Sequence, residues 1–370
     1  MLIRIRPFRL TKAVPLAISR GTTSAVTHLE VRLDHEGLVG IGETGGFETG
    51  HRGYETDAVA AELKALPPDL GGLDPRMPQA FESLLAGLSP PARCGLDLAL
   101  LDWWARWLNR PLWQLWGLQS ETGQLATSVT LGLGTVGAVL SRLERWWTQL
   151  PASRIKLKLG SSDGPGHDRL LLHAVAGALE RRREEHGQPL ELQVDANGGW
   201  TVESTLRLMP DLVRCGVSLL EQPLPPDPDP RHDSAGFAAL HPQCPMPLVA
   251  DESCWDLEDL LRLAPHVDGI NIKLLKSGGL SEGLLMARTA RRLGLSVMLG
   301  CYSDGGLLNG AAAQLLPLAR WPDLDSHLNL LDDPFRGLPL QGDRLSPPHG
   351  IGLGITMDSR TRDEPADARS

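Results

Sequence analysis

Eight side chains able to do chemistry fall at or just past the ends of short apolar runs. Lys156 and Lys158 lie in IKLKLG, Asp195 and Asn197 in DANGGW, and Glu221 opens EQP; Asp251 and Glu252 lie in ADES, and Lys273 in INIKLLKSGGL. Asp195, Glu221 and Asp251 come from three successive runs. Together they form an all-oxygen donor set of the kind a hard cation such as Mg2+ takes, leaving positions open for water or substrate. An amine held beside a carbon can take a proton from it or return one. A proton next to a carboxylate is weakly acidic, because its removal leaves a second negative charge, as an enediolate. Cationic groups placed where that charge develops make the removal feasible. Any one of these residues alone would be an ordinary strand-end residue facing solvent. Five consecutive runs ending this way are not explained so. Asn197 and Glu252 read as residues that tune the charge of the site, though Glu252 and Lys276 read equally as supporting or surface residues and as catalytic ones.

The elements that must position these residues can be read from periodicity. From about residue 126, short apolar runs alternate with helical stretches: SVTLGL, RIKLKL, LELQVDA, VSLLEQP, MPLVADES, GINIKLL and SVMLGC, spaced by roughly 25 to 35 residues. That order predicts βαβ units and a parallel sheet. Seven such strands, with an eighth near 323–325, predict a closed (β/α)8 barrel of the TIM type, whose site lies at the C-terminal strand ends. No G-x-G-x-x-G follows a strand, which weighs against dinucleotide binding. Lys156 and Lys158 share a strand face, as do Asp195 and Asn197. On strand one Thr130 is a candidate substrate contact.

Before the barrel, residues 2–45 read as strands with a turn around 34–37. Residues 55–117 read as helices, with CGLDLALLDWWARWL apolar at helical spacing and ended by Pro111. The expected division is an N-terminal α+β domain at 1–122, the barrel at 123–326, and a segment at 327–357 returning to the N-terminal domain. The polar tail at 358–370, DSRTRDEPADARS, is expected to be disordered.

Composition excludes several classes. The chain has 370 residues, 42% hydrophobic and 22% charged, enough for a sizeable core. Its net charge of -9 excludes nucleic acid as a default partner. No apolar run is long enough to span a bilayer, and MLIRIRPFRLTKAVPL lacks the pattern of a signal peptide. Cys94, Cys215, Cys244, Cys254 and Cys301 form no C-x-x-C pair, so they read as free thiols of a cytoplasmic protein rather than a metal site.

As a set, IKLKLG, DANGGW, EQP, ADES and INIKLLKSGGL resemble the muconate-lactonizing subgroup of the enolase superfamily, over about residues 15 to 345. PARCGLDLALLDWWARWLNRPLWQLWGL is similar to that family's last capping-domain helices. The resemblance implies an enolase-like fold, an α/β chain with a TIM-type barrel and an N-terminal α+β capping domain. It also implies one Mg2+ per subunit on Asp195, Glu221 and Asp251. DLDSHLNL at 323–330 resembles the D-x-D motif of the dipeptide epimerases, which lies at the eighth strand and binds the ammonium of a dipeptide, here through Asp323 and Asp325. ISRGTTS at 18–24 resembles the family's mobile capping loop, whose arginine, here Arg20, can meet the distal side chain. Two segments depart from the pattern: GGFETGHRGYETD, with His51, Arg52 and Tyr54 near the expected substrate mouth, and CYSDGG, with Asp304 near the position of a glutamate in many relatives. They bear on substrate identity and leave the metal and lysine positions untouched.

The resemblance implies an isomerase that inverts the α-carbon of the C-terminal residue of a dipeptide, with L-Ala-D/L-Glu from peptidoglycan turnover as the default. Lys158 and Lys273, from strands two and six, would move the proton on opposite faces, with Lys156 beside the reacting carboxylate. N-acylamino-acid racemase and o-succinylbenzoate synthase are alternative reactions on the same scaffold. Asp323 and Asp325 argue against them, because acylated substrates carry no free ammonium. A non-catalytic binding protein would have no use for the intact lysines and carboxylates. The expected partner is a small dipeptide, with neither nucleic acid nor membrane; self-association stays open.

Overall fold

The computed structural model describes residues 1–19, 21–67, 70–119 and 124–358. Alternation of apolar and polar residues builds the N-terminal sheet. Strands Leu2–Ile18, Gly21–His35 and Leu38–Gly45 pair antiparallel in sequence order, and Leu29, Val31 and Leu33 are buried. The expected turn stands where it was read, with Glu36 and Gly37 at positive φ (48° and 79°). The segment resembling a capping loop joins two paired strands. The first strand runs to Ile18 and the second begins at Gly21, with Ala17 paired to Thr22. The β-branched Ile18, Thr22 and Thr23 suit a pleated backbone. Arg20 lies outside the described residues.

Helix Pro90–Trp107 starts with two prolines in its first turn and is buried almost all round. Its sequence calls for this, since the sheet covers one side and the barrel the other. Gly40 and Gly42 let the sheet come close; a Cβ there would meet Ala99 O at 2.1 Å and Gly95 O at 2.2 Å. On the barrel side, Asp97 accepts from the backbone N–H of Leu280 at 2.7 Å and of Ser281 at 3.0 Å.

Eight parallel strands form the barrel: Ser128–Leu131, Arg154–Lys158, Glu191–Asp195, Val217–Glu221, Leu248–Ala250, Gly269–Ile272, Ser296–Leu299 and Trp321–Pro322, each paired with its neighbour in sequence. The eighth strand ends just before 323–325, where it was expected; Pro322 has no N–H to extend the ladder. Side chains bridge strands eight and one, which the ladder itself does not pair. Leu324 N donates to Thr127 Oγ1 at 3.0 Å, Thr130 N to Asp325 Oδ2 at 2.7 Å, and Ser128 Oγ to Asp323. Past the barrel, Leu330 bridges to Lys12, while Arg344–Leu345 pairs with Leu125–Ala126. The tail at 359–370 lies outside the described residues. Among the described residues no helix is long and apolar enough to cross a membrane.

A buried junction links the N-terminal sheet to the segment after strand seven. Glu43 accepts from His28 Nδ1 and Gly305 N at 2.8 Å, and from Leu308 N at 2.9 Å. Beside it Asp304 is 2% exposed, and burial, with Glu43's charge adding, pushes its carboxyl up to about 6. The folded chain therefore holds this proton more tightly than the unfolded chain, so stability falls as pH rises from about 4 to about 6. Asp304→Asn should remove its own share of that slope and leave that of Asp333, also pushed up to about 6 by burial, gaining on the order of 2–3 kcal/mol over wild type above pH 6 and nothing below pH 4. Melting temperatures of both proteins across pH 4–8 measure it; parallel curves would refute it.

Candidate active site

Strand register sets the first row of the site. Lys156 stands opposite Gln193, Lys158 opposite Asp195, and Asp195 opposite Glu221. Alternation turns Lys156, Lys158 and Asp195 to one side, and all three are buried with Glu221. Asp251 follows strand five directly. Lys273 follows strand six and caps the short helix Leu274–Ser277, one residue beyond the strand on which the sequence placed it.

The chain turns sharply where these residues end. Asn197 and Gln222 both adopt positive φ (43° and 36°), a costly conformation for non-glycine residues. Each turn is held by side-chain bonds. Asn197 N donates to Asp195 Oδ1 at 2.8 Å, and its Nδ2 to Glu252 Oε1 at 3.1 Å. Gln222 Oε1 accepts from Asp251 N at 2.8 Å, which fixes the start of the next acidic loop. Asn197 and Glu252 thus both meet the cluster.

Asp195, Glu221 and Asp251 each offer an oxygen, all within 4.8 Å of one another and all buried. Ammonium groups crowd the same oxygens. Lys156 Nζ lies 3.1 Å from Asp195, 2.6 Å from Glu221 and 2.7 Å from Asp323. Lys158 Nζ lies 2.5 Å from Asp195, and Lys273 Nζ 2.6 Å from Asp251. Burial works to lower the Lys156 and Lys273 pKa values, but the carboxylates outweigh it and hold both ammoniums well above their ordinary range. Burial acts on Asp251 in the opposite sense, and Lys273 and Lys276 overcome it, keeping the carboxylate ionised. For Glu221 burial prevails, and its carboxyl is pushed upward with the charge of Asp195 adding. A lysine acting as a base needs a lowered pKa, and burial alone would supply it; charge pairing decides otherwise. Three buried oxygens on three strand ends suit a hard divalent cation, and a cation shared among them would relieve the repulsion between these acids.

Three contributors were not legible as such in the sequence. Lys276 is fully buried and donates to Asp251 O at 2.6 Å, Asp251 Oδ1 at 2.8 Å and Asn271 O at 2.9 Å, so it positions the loop after strand five. Asn271 Nδ2 donates to Glu221 Oε1 at 2.8 Å; it shares a strand face with Lys273, and that spacing is the signal that could have found it. Tyr302 places its ring 4.4 Å from Lys273 Nζ and stacks on Phe47, joining strand seven to the N-terminal domain. No periodicity marks Tyr302.

Two cavities meet here. One, of about 470 Å³, is bordered by Lys158, Lys273, Tyr302, Phe47, Tyr54 and Val26, so both lysines face one space under the N-terminal domain. The other, of about 170 Å³, is bordered by Asp323, Asp325, Thr130, Lys12 and Arg142 and also reaches Lys158. Asp323 and Asp325 face this common cavity, as their spacing suggested, but both are already engaged. Asp323 is paired with Lys156 and Ser128, and Asp325 accepts from Thr130 N. Thr130 contributes its backbone N–H to this bond. Of the unusual capping segment, Tyr54 borders the larger cavity, while His51 and Arg52 pack on Trp255, Arg52 at 4.8 Å.

Residues 3–117 match the mandelate racemase / muconate lactonizing enzyme N-terminal domain, and residues 138–361 match the enolase C-terminal domain-like family. A "Hydrophobic dipeptide epimerase" of Flavobacteria bacterium (strain MS024-2A) is 34% identical over 94% of this chain and 96% of its own. The "L-Ala-D/L-Glu epimerase" of Escherichia coli (strain K12) is 34% identical over 84% and 88%. The dipeptide epimerase of Enterococcus faecalis V583, solved with Mg and the dipeptide L-Leu-L-Tyr, superposes with a TM-score of 0.84 at 27% identity, over 96% of this chain and 99% of that one. By its two domains, its carboxylate cluster and these relatives, the chain belongs to the dipeptide epimerase family of the enolase superfamily.

Proposed function

We propose that this chain is a Mg2+-dependent epimerase that inverts the α-carbon of the C-terminal residue of a dipeptide by two-base proton transfer. One observation carries the reading: Lys158 and Lys273 border one cavity, and each touches a different member of the carboxylate cluster. Asp195, Glu221 and Asp251 would hold the cation. When bound, Mg2+ supplies positive charge where the enediolate's charge develops and draws off carboxylate charge that holds the lysines protonated. Lys156 stands beside the reacting carboxylate and adds to that charge. Lys158 takes the proton from one face while Lys273 returns one from the other, and the roles reverse for the opposite epimer. Asp325 meets the substrate ammonium with the lone pairs that Thr130 leaves free, and Asp323 supports it from beside Lys156. Arg20 is assigned to the distal side chain by resemblance alone.

L-Ala-D/L-Glu is the first substrate to test by family. Among the described residues, Leu16, Ile18, Val26, Phe47 and Tyr54 line the larger cavity, with Glu48 and Glu55 at its border, and favour an apolar side chain on the reacting residue. In this reading the N-terminal domain ends near 122, the barrel near 326, and 327–357 returns to the N-terminal domain; the enzyme works in the cytoplasm, its five cysteines being free thiols.

A dipeptide should be used at least about ten times better, in kcat/KM, than its N-acetyl form, because acetylation removes the ammonium and leaves Asp325 without its charged partner. Deuterium incorporation at the α-carbon in D2O with Mg2+ measures both compounds. Equal or faster turnover of the acetylated or N-succinylated compound would move the enzyme to the racemase alternative.

A further inference from the structure

The smaller cavity holds two cations that the proposed reaction does not use. Lys12 lies on the first strand, is 6% exposed and borders this cavity, and its ammonium makes no ion pair or hydrogen bond among the described residues. Its strand is held against the barrel, because Asn329 accepts from Val14 N at 3.1 Å and donates to Val14 O at 2.7 Å. Arg142 borders the same cavity, with its guanidinium carbon 4.0 Å from the Trp146 ring centroid. Its Nη1 is buried without a hydrogen-bond partner. Stacking fixes the plane of the guanidinium and leaves its edge free to donate. Asp325 is the carboxylate whose charge bears on both, so one anion serves two cations, and buried cations short of a partner are commonly resolved by a further anion. Asp323 lies on the same cavity and is engaged by Lys156 and Ser128, while Asp325 accepts one bond, from Thr130 N, and keeps lone pairs for an ammonium. The cavity therefore offers acceptors for an ammonium and, separately, donors for a carboxylate, with apolar Leu16 and Val139 beside them.

We propose that this cavity receives a first residue carrying both an ammonium and a carboxylate, as in an aspartyl, glutamyl or γ-glutamyl dipeptide, with Lys12 and Arg142 holding the carboxylate. This rests on the dipeptide reading and specifies the residue distal to the reacting carbon. An alanyl substrate fills none of the donors. A glutaminyl one matches the glutamyl shape but brings no charge, which makes it the sharper control.

The test compares kcat/KM for L-Glu-L-Leu, L-Asp-L-Leu, γ-L-Glu-L-Leu, L-Gln-L-Leu and L-Ala-L-Leu, read as α-deuterium incorporation. For the wild type at least one acidic substrate should exceed L-Gln-L-Leu by about tenfold or more. Which one leads tells α-linked acidic residues from the γ-glutamyl isopeptide. In Lys12→Met and in Arg142→Met that ratio should collapse toward unity. Wild-type enzyme that uses L-Gln-L-Leu as well as every acidic substrate overturns the inference and leaves the dipeptide reading standing, as does a ratio that survives both substitutions. Absence of exchange with all five substrates strikes the dipeptide reading itself, and this inference with it.

Discussion

Lys158→Ala and Lys273→Ala should each lower epimerisation by roughly 10²–10⁴-fold, the usual worth of a positioned general acid or base. Each should still exchange the α-proton of one epimer, a different one in the two variants. The reason is geometric. Inversion needs a proton to leave from one face and another to arrive on the opposite face, while exchange needs only the base that faces the departing proton. Strands two and six lie on nearly opposite sides of an eight-stranded barrel, so the two amines approach from different sides. Neither substitution should unfold the protein. Asp195 keeps Lys156 at 3.1 Å when Lys158 is removed, and Asp251 keeps Lys276 at 2.8 Å when Lys273 is removed, so no buried carboxylate is left unpaired. The measurement is α-deuterium incorporation from D2O into each separate epimer, alongside polarimetric epimerisation. Near-normal epimerisation by either variant would end the two-base assignment. Exchange of both epimers by one variant would end it equally.

Glu221→Gln should lower turnover by about a thousandfold, and it should also weaken Mg2+ binding measured by calorimetry in the absence of substrate. A cation beside a developing enediolate supplies several kcal/mol of charge stabilisation, and each 1.4 kcal/mol is tenfold in rate. Glu221 suits the test because the substitution keeps its shape. Its Oε1 accepts from Asn271 Nδ2, a bond the glutamine carbonyl can keep, while the amide nitrogen gives up the contact that Oε2 makes with Lys156. The lost charge also leaves Lys156 with two carboxylate neighbours, Asp195 and Asp323, instead of three, so the variant should remain folded. Exhaustive chelation of the wild type should match the variant, and added Mg2+ should restore the wild type alone. Activity undiminished by chelation would remove the cation from the mechanism. Unchanged Mg2+ affinity in Glu221→Gln would remove Glu221 from the ligand set.

The order of the barrel strands and the identity of the residues at their ends are legible along the chain. The cause is local: strand alternation is set by the pleat, and an apolar run flanked by helical stretches shows its end in its own letters. Lys156, Lys158, Asp195, Glu221 and Asp251 were readable for that reason, and the buried cluster brings them together. Asn271 shares that local signal through its spacing from Lys273. Other features depend on neighbours distant in the chain. The role of Lys276 stays open in the sequence, because nothing near it reveals that Asp251 waits 25 residues away to pair with it. Thr130 reads as a candidate substrate contact, and only the fold shows that its backbone N–H goes to Asp325 across the barrel seam, 195 residues away. Asp323 looked like a free ammonium acceptor until Lys156 and Ser128 claimed it. The lysine pKa values went the same way, since burial can be foreseen from a strand but the carboxylates that outweigh it come from other strands. Lys12 sits on the first strand of the N-terminal sheet, and only the docking of that strand against residues 329–332 carries its amine to the smaller cavity. Backbone periodicity is a short-range property and can be read along the chain; the partner of a buried charge is chosen by packing and becomes visible only once the barrel has closed.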